Sequence, residues 1–210
     1  MNHFEYVTAK EAKPYRKAII EMTKELQNLI REYFTFQFHF IGSSSRNMIT
    51  YDVKSNVGFD FDINYVINDE DQNYGPDEIH RKVFNGLKQI YMRYGFNRIE
   101  ESTRVITLKK VDVWSSKVLH SCDIALVYDY ENKGRHHQEY IRFNKQNRVL
   151  SWEEQPSPYY IEEKAERIKV AKKWNEVRDV YLDKKNNNDD PHKKSRALYA
   201  EAVNEVFMRI

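Results

Sequence analysis

The segment FDFDINYVI at residues 59–67 decides both the fold class and the chemistry that the sequence predicts. Most of its apolar residues occupy every second position, and Asp60, Asp62 and Asn64 stand between them. A period of two is typical of a β-strand, in which successive side chains point to opposite faces of a sheet. We therefore predict a central strand with one apolar face and one face that carries two carboxylates.

The two carboxylates call for a counter-charge. Asp60 and Asp62 are two residues apart, so their side chains point the same way from backbone positions ~6–7 Å apart. Like charges on one face repel each other and resist burial. Mg²⁺ prefers carboxylate oxygens together with substrate phosphates. Asp123, inside a second predicted strand over 117–130, would supply the third carboxylate of a two-metal site. The alternative is a solvated strand face without a ligand.

A short polar segment stands directly before this strand pair. The alternating stretch TFQFHFI at 35–41 predicts a strand, and GSSSR at 42–46 predicts a small-residue turn after it. Gly42 lets the backbone approach a phosphate, and its amide and the Ser43 hydroxyl can donate hydrogen bonds to phosphate oxygens. Arg46 either reaches the same phosphate or lies at the surface.

The rest of the chain predicts an α+β fold. A capping box at Thr8 and Glu11 begins a first helix, and a second helix runs from Pro76 to Gly95. Further strands are predicted over 102–109, 138–143 and 148–152, with a hairpin turn over 144–147 and a turn at His136 and His137. Helices are predicted over 161–181 and from a Ser195 cap, with a polar loop over 184–194. The buried stripe predicted for the first helix consists of Tyr15, Ile19, Met22, Leu26, Leu29 and Tyr33.

We expect a mixed central sheet with flanking helices in residues 1–155 and a C-terminal helical extension in residues 156–210.

Composition excludes several classes of protein. Lys and Arg total 34 and Asp and Glu total 32 in 210 residues, a net charge of +2, so binding of a long nucleic acid is not favoured by charge. One cysteine, Cys122, excludes a disulfide framework within the chain and a Cys-rich zinc site. There is no apolar run of ~20 residues and no apolar signal-peptide core at the start. We expect a cytoplasmic protein with no membrane partner.

Three segments together resemble a known family. Ile41-Gly42-Ser43, Phe59-Asp60-Phe61-Asp62-Ile63 and Cys122-Asp123-Ile124 are similar to the motifs of the polymerase-beta-type nucleotidyltransferase superfamily. The helix that leads into the Gly-Ser strand resembles the branch of oligoadenylate synthetases and cyclic dinucleotide synthases. The resemblance covers about residues 35–130. The 16 residues between Ser43 and Asp60 exceed the usual spacer of the family and predict an inserted loop.

The resemblance implies an enzyme of nucleotidyltransferase type and a role for each motif residue. Such an enzyme moves a nucleoside monophosphate from a nucleoside triphosphate to an acceptor hydroxyl and releases pyrophosphate. Gly42 and Ser43 would hold the triphosphate, and Asp60 and Asp62 would ligate two ions of Mg²⁺, with Mn²⁺ as an alternative. Asp123 would ligate the catalytic ion and help to deprotonate the acceptor.

The acceptor stays open: a nucleotide, an RNA end, a small molecule or a protein side chain. Two other functions are carried forward. One is a non-catalytic nucleotide-binding or antitoxin-type module of the same fold. The other is a Mg²⁺-dependent nuclease, which is weakened because Lys109 and Lys110 do not follow an acid at the expected step. Further candidates for phosphate or base contacts, each with a surface or core alternative, are Arg104, Arg142, Trp152, Lys172 and Lys173.

Overall fold

The computed structural model describes residues 2–55, 58–69, 71–155 and 159–210. The segment FDFDINYVI forms strand β4 (Phe59–Asn68) at the centre of a mixed sheet, as its alternation predicts. β4 pairs antiparallel with β2 (Thr35–Ile41) and parallel with β7 (Lys117–Asn132). The parallel pairing of β4 and β7 requires a crossover, and that crossover contains helix α3 (Pro76–Ile90).

The remaining strands extend the sheet from β7, which is long enough to pair along both halves. Its first half pairs with β6 (Ile106–Asp112), which in turn pairs with β5 (Arg98–Glu101). Its second half pairs with β8 (Arg135–Asn144), which pairs with β9 (Val149–Glu154). Within the described ranges the sheet has seven strands, in the order β2-β4-β7-β6-β5 with β8 and β9 attached to β7. The predicted α+β class is confirmed.

The apolar face of β4 carries the core. Phe61, Ile63 and Tyr65 are fully buried. The Tyr65 ring stacks on Phe36 of β2 at 4.4 Å between centroids, and its hydroxyl is 2.8 Å from Thr23 Oγ1 of helix α1 (Ala9–Ile30). The opposite face of β4 is thereby left for Asp60, Asp62 and Asn64, as the period of two predicts.

Helix α1 begins as its sequence predicts. The Thr8 hydroxyl accepts from the Glu11 amide at 3.2 Å, and the Glu11 carboxylate accepts from the Thr8 amide at 2.9 Å. The predicted stripe is partly wrong: Leu29 is 43% exposed, and Ile30 is buried in its place. The buried line runs slightly around the helix from the predicted one and consists of Ile19, Met22, Thr23, Leu26 and Ile30. Tyr15 and Tyr33 are 37% and 39% exposed.

Several local predictions are corrected. The stretch 42–46 is not a plain turn but a short helix, α2 (Gly42–Arg46), closed by Asn47 in the left-handed conformation. The strand predicted over 102–109 begins later, as β6, and the prediction missed β5 altogether. The hairpin predicted around 144–147 is confirmed, with its turn one residue further on, at 145–148. His136 and His137, predicted in a turn, lie within β8.

The helical tail is divided more finely than predicted. The helix predicted over 161–181 is two helices, α4 (Tyr159–Val170) and α5 (Trp174–Asn186), separated by a turn in which Lys172 has φ 59°. The polar loop therefore begins after α5. The last helix, α6 (Ser195–Phe207), has Lys194 at its N-cap without a side-chain bond, so Ser195 is its first residue and not its cap.

The chain divides into two compact units. The sheet unit comprises Val7–Ile49 and Asn56–Gln155, and the helical unit comprises Met1–Tyr6, Thr50–Ser55 and Pro156–Ile210. The helical unit contains α4, α5, α6 and a small sheet of β1 (Phe4–Tyr6) and β3 (Thr50–Asp52). The domain boundary predicted after residue 155 stays a prediction, since residues 156–158 lie outside the described ranges. None of the helices described is long and apolar enough to cross a membrane.

Candidate active site

The register of β4 and β7 brings the three predicted carboxylates to one face of adjacent strands. Asp62 is the direct partner of Asp123, and Asp60 is the partner of Ser121. Adjacent strands lie ~4.8 Å apart, and partners in a parallel pair point to the same face. We call the face that carries Asp60, Asp62 and Asp123 the carboxylate face.

Two hydroxyls on this face hold two of the three carboxylates. The Ser121 hydroxyl donates to Asp60 Oδ1. The Thr107 hydroxyl donates to Asp123 Oδ1 at 2.7 Å, from the position on β6 that pairs with Asp123. Neither Ser121 nor Thr107 is predictable as a site residue from the sequence, because a hydroxyl in a strand is unremarkable until the register places it beside an acid.

Helix α2 is attached to the carboxylate face at Asp62 itself. The Asp62 amide donates to the hydroxyl of Ser44, which is 2% exposed, at 2.9 Å. The Ser44 carbonyl accepts from the guanidinium of Arg16 at 2.8 Å, and that guanidinium lies 3.9 Å above the Phe40 ring. Neither Ser44 nor Arg16 was predicted as a site residue. Ser44 lies in a run of three serines, of which only Ser43 was expected to contact a phosphate.

Gly42, the first residue of α2, also lies close to the Asp62 carboxylate. It has φ +59°, a left-handed conformation that side chains disfavour, and a Cβ placed there would lie 3.0 Å from Asp62 Oδ2. A larger residue would have to displace either the bend or the carboxylate. Gly42 therefore lies close to Asp62, and the approach to a phosphate that the sequence suggested for it stays a prediction.

The electrostatics of the site show negative charge that its neighbours do not neutralise. Burial and, after it, the charges of Asp123 and Asp60 raise the pKa of Asp62 to about 6, against the opposing charge of Arg46. Burial also raises the pKa of Asp123, against the hydrogen bond from Thr107, and Asp60 adds to that rise. Arg46 thus contributes positive charge at Asp62, and the phosphate contact expected of it stays a prediction.

The donor chemistry fits a hard divalent cation, although the ligands are not gathered. Mg²⁺ and Mn²⁺ prefer carboxylate oxygens, and burial, followed by the like charges of Asp123 and Asp60, raises the pKa of Asp62, a cost that a bound cation would offset. In the part of the chain that the structure describes, no three His, Cys, Asp or Glu side chains already form an ion-binding cluster. The hydroxyls of Ser121 and Thr107 each hold one carboxylate oxygen, so ion binding would compete with these hydrogen bonds or use the other oxygens.

The remaining candidates in the sheet unit have other contacts. Trp152 pairs with Ile141, which puts it on the face opposite Asp123, and its ring lies 6.2 Å from that of Tyr128. Arg142 forms an ion pair with Glu153 at 2.7 Å. These contacts agree with the surface or core alternative given above for Trp152 and Arg142.

Arg104 and the histidine pair are likewise engaged. Arg104 lies in the turn before β6, not in a strand, with its guanidinium 4.8 Å above the Tyr140 ring. His137 stacks on Tyr130 at 5.2 Å, and His136 lies 3.6 Å from Asp129.

In the helical unit, Lys172 and Lys173 lie in the turn between α4 and α5 and not in mid-helix. Lys173 is 3.5 Å from Glu176.

Solved structures share this fold. Vibrio cholerae DncV, a cyclic AMP-GMP synthase in complex with the linear intermediate 5′ pppA(3′,5′)pG, matches with a TM-score of 0.61 at 12% identity, over 98% of this chain and 69% of that chain. The GTP-bound form of DncV matches with a TM-score of 0.59 at 15% identity, over 97% of this chain and 53% of that one. Elizabethkingia meningoseptica CdnE, a cyclic dinucleotide synthase with GTP and Apcpp, matches with a TM-score of 0.53 at 14% identity, over 90% and 68%.

These matches confirm the resemblance at the level of the fold, which this chain shares with these structures. The chain spans 53–69% of the length of these structures. No protein-family model matches the chain, and no curated protein matches its sequence.

Proposed function

We propose that the protein is a metal-dependent nucleotidyltransferase that transfers a nucleoside monophosphate from a nucleoside triphosphate to an acceptor hydroxyl. The observation that carries the proposal is the direct pairing of Asp62 and Asp123 on parallel strands, with Asp60 on the same face and the bend at Gly42 against Asp62. Neighbours of the same fold contain GTP, a triphosphate analogue or a linear pppApG intermediate, which supports a triphosphate as the substrate.

Each site residue would have a role that follows from its position. The Gly42 amide and the Ser43 hydroxyl would donate to the triphosphate, and Arg46 would place a positive charge beside it. Asp60, Asp62 and Asp123 would hold the divalent ions. When bound, such ions neutralise charge on the attacking oxygen and on the departing pyrophosphate.

Asp123 is the residue that would receive the proton. Its Oδ1 accepts from Thr107, so Oδ2 is the atom that would take the proton of the acceptor hydroxyl, and its raised pKa favours that role. The acceptor oxygen bonds to the α-phosphorus while the bond from the α-phosphorus to the oxygen of the β-phosphate breaks. Pyrophosphate carries away the released electron pair, so atoms and charges balance.

The second candidate function is a binding module without turnover. The observation that favours it is that the Ser121 and Thr107 hydroxyls already donate hydrogen bonds to Asp60 and Asp123, with which an ion would compete. The nuclease has less support, because Lys109 forms an ion pair with Glu100 at 2.5 Å.

Incorporation of labelled α-phosphate tests the proposal. With Mg²⁺ or Mn²⁺ and each of the four triphosphates, the protein should attach labelled monophosphate to an acceptor and release pyrophosphate. Asp62→Asn and Asp123→Asn should each reduce the rate about 100-fold or more, since metal ions supply several kcal/mol of transition-state stabilisation. Asp129→Asn is the matched control: Asp129 lies on β7 like Asp123, outside the three carboxylates, and the variant should retain activity.

Triphosphate binding without pyrophosphate release, under all of these conditions, would favour the binding module. Cleavage of a phosphodiester without added triphosphate would favour the nuclease.

A further inference from the structure

Arg16 approaches helix α2 from the apolar side of the sheet. Its guanidinium carbon lies 3.9 Å from the centroid of the Phe40 ring. The centroid of that ring lies 6.0 Å from the centroid of Phe61, which is fully buried on the apolar face of β4. Asp62 is directed to the opposite face, because successive side chains of a strand alternate. Any effect of Arg16 on the carboxylate face therefore passes through α2.

The guanidinium of Arg16 is a charge without a carboxylate partner. Arg16 is half-buried, and burial lowers its pKa, although an arginine stays charged at neutral pH. In the part of the chain that the structure describes, it makes two contacts and no ion pair: Nη1 donates to the Ser44 carbonyl at 2.8 Å, and the guanidinium lies over Phe40. Burying part of a charge without a counter-ion costs free energy. The arrangement therefore directs this charge at one backbone carbonyl of α2.

Ser44 joins Arg16 to Asp62 through its two oxygens. Its carbonyl accepts from Arg16, and its hydroxyl accepts from the Asp62 amide at 2.9 Å. Ser44 is 2% exposed, so the loss of either partner would leave a buried polar group unsatisfied. The positions of Arg16 and Asp62 are thus coupled through a single buried residue.

Helix α2 has few contacts of its own that fix its position. It has five residues, and Ile41 at its N-cap provides no side-chain hydrogen bond. A helix of this length is unstable by itself, because nucleation of the first turn is unfavourable. The clearance at its first residue is small, since a Cβ at Gly42 would lie 3.0 Å from Asp62 Oδ2. Contacts from α1 and β4 must therefore set the position of the bend.

We propose that Arg16 is a positioning residue of the active site. Through the Ser44 carbonyl it holds α2, so that the Gly42 amide and the Ser43 hydroxyl stay in place for the triphosphate and the Asp62 amide keeps its acceptor. The hydrogen-bond donor of Arg16 carries this role, and the bulk of its side chain does not. The inference rests on the proposed function and adds to it a residue that lies outside the carboxylate face.

Amide hydrogen exchange, measured by NMR, tests the hold on the bend without any substrate. Arg16→Met keeps an unbranched apolar stem over Phe40 and removes the donor, so it retains more packing than Arg16→Ala would. The Asp62 amide should exchange about 10- to 100-fold faster in Arg16→Met than in the wild type, since a hydrogen bond from a charged donor stabilises by an amount equal to such a factor. Local opening of the bend breaks the bond from Arg16, which is why this amide reports it.

Binding of a triphosphate analogue tests the consequence for the site. The probes are the α,β-methylene analogues of ATP and GTP with Mg²⁺, measured by isothermal titration calorimetry with the full chain. Arg16→Met should raise the Kd about 10-fold, because a displaced bend makes at least one hydrogen bond fewer to the phosphates. Arg16→Lys retains a cationic donor without the planar fork, and should lie between the wild type and Arg16→Met in both measurements.

Gln27→Ala is the matched control. Gln27 lies on α1 like Arg16 and is also half-buried. Its Nε2 donates at 3.0 Å to the backbone carbonyl of Phe36, near the start of β2 and away from α2. The variant loses a bond of the same kind from the same helix, and should change neither the exchange of the Asp62 amide nor the Kd of the analogues.

The outcomes separate the two proposals. Unchanged exchange of the Asp62 amide in Arg16→Met overturns the positioning role, whatever the affinity, and so does faster exchange with an unchanged Kd. An equal rise of the Kd in Gln27→Ala and Arg16→Met assigns the effect to a general loosening of α1 and also overturns it. If the wild type binds neither analogue while the Asp62 amide exchanges faster in Arg16→Met, the hold of Arg16 on the bend is supported and the proposed function fails.

Discussion

Asp62 is the residue at which burial and like charge act together, and its state is measurable without a substrate. Its pKa in the fold, about 6, lies above the ordinary value of 3.8, so the folded chain binds this proton more tightly than the unfolded chain does. Above pH 6 the ionised carboxylate therefore lowers the free energy of unfolding by its full amount. That cost decreases as the pH falls through 6 towards 3.8.

Asp62→Asn should accordingly stabilise the protein at pH 8, with a gain in the free energy of unfolding of roughly 2 kcal/mol, and the gain should be nearly lost at pH 4. Urea denaturation in the presence of EDTA at both pH values measures it. Glu131→Gln, at an exposed acid on the neighbouring strand β7, should show no such gain. A variant of Asp62 that is less stable than the wild type at pH 8 would contradict the electrostatic account of the site.

Ser44 is the residue that joins α2 to β4. Ser44→Ala leaves the amide of Asp62 without its acceptor and should destabilise the fold by about 1–3 kcal/mol. Ser45→Ala is the matched control, since Ser45 is exposed and its hydroxyl only donates to the Gly42 carbonyl at 3.0 Å. We expect that variant to stay within about 0.5 kcal/mol of the wild type in the same urea titration. Equal losses in the two variants would argue against the role given to Ser44.

At the scale of elements, the bend at the start of α2 fixes the distance between Gly42 and the Asp62 carboxylate. Gly42→Ala should therefore cost stability and also disturb Asp62, whose Oδ2 would be 3.0 Å from the new Cβ. Gly134→Ala provides the control, because Gly134 also has a positive φ, of +70°, with nothing within 4 Å of its Cβ position.

Both variants should lose about 1 kcal/mol or more from backbone strain, whereas only Gly42→Ala should lose nucleotidyl transfer. Thermal denaturation and the labelled-phosphate assay distinguish the two effects. Full activity in Gly42→Ala would show that the approach of the bend to Asp62 is dispensable.

The elements differ in how well the sequence predicts them, for physical reasons. β4 alternates over most of its length because one of its faces packs in the core, so its facing residues and its start were predicted, and its end was predicted to within one residue. β5 is short, and only Ile99 among its four residues is apolar, so no alternation marks it. α2 has five residues, fewer than two helical turns, and its serines are as common in turns as at helix starts.

At the scale of the whole molecule, the three acids were predicted from their strands, but their relative positions were not. The pairing of Asp62 with Asp123 joins residues 61 positions apart, and the register that sets it depends on the crossover through α3. The contact of Ser121 follows from that register, that of Thr107 from the register of β6 and β7, and that of Ser44 from the position of α2 against β4. No local pattern around these hydroxyls distinguishes them from other polar residues. The likeness to solved structures extends over both units, yet at 12–15% identity it carries the fold alone.

The most direct measurement is a crystal structure of the full chain with Mg²⁺ and a non-hydrolysable triphosphate analogue. The account predicts Mg²⁺ about 2.0–2.1 Å from carboxylate oxygens of Asp60, Asp62 and Asp123, with the triphosphate against the amides of Gly42 and Ser43. An ion or a triphosphate bound elsewhere, with the hydroxyls of Ser121 and Thr107 still holding Asp60 and Asp123 and no ligand on the carboxylate face, would contradict it.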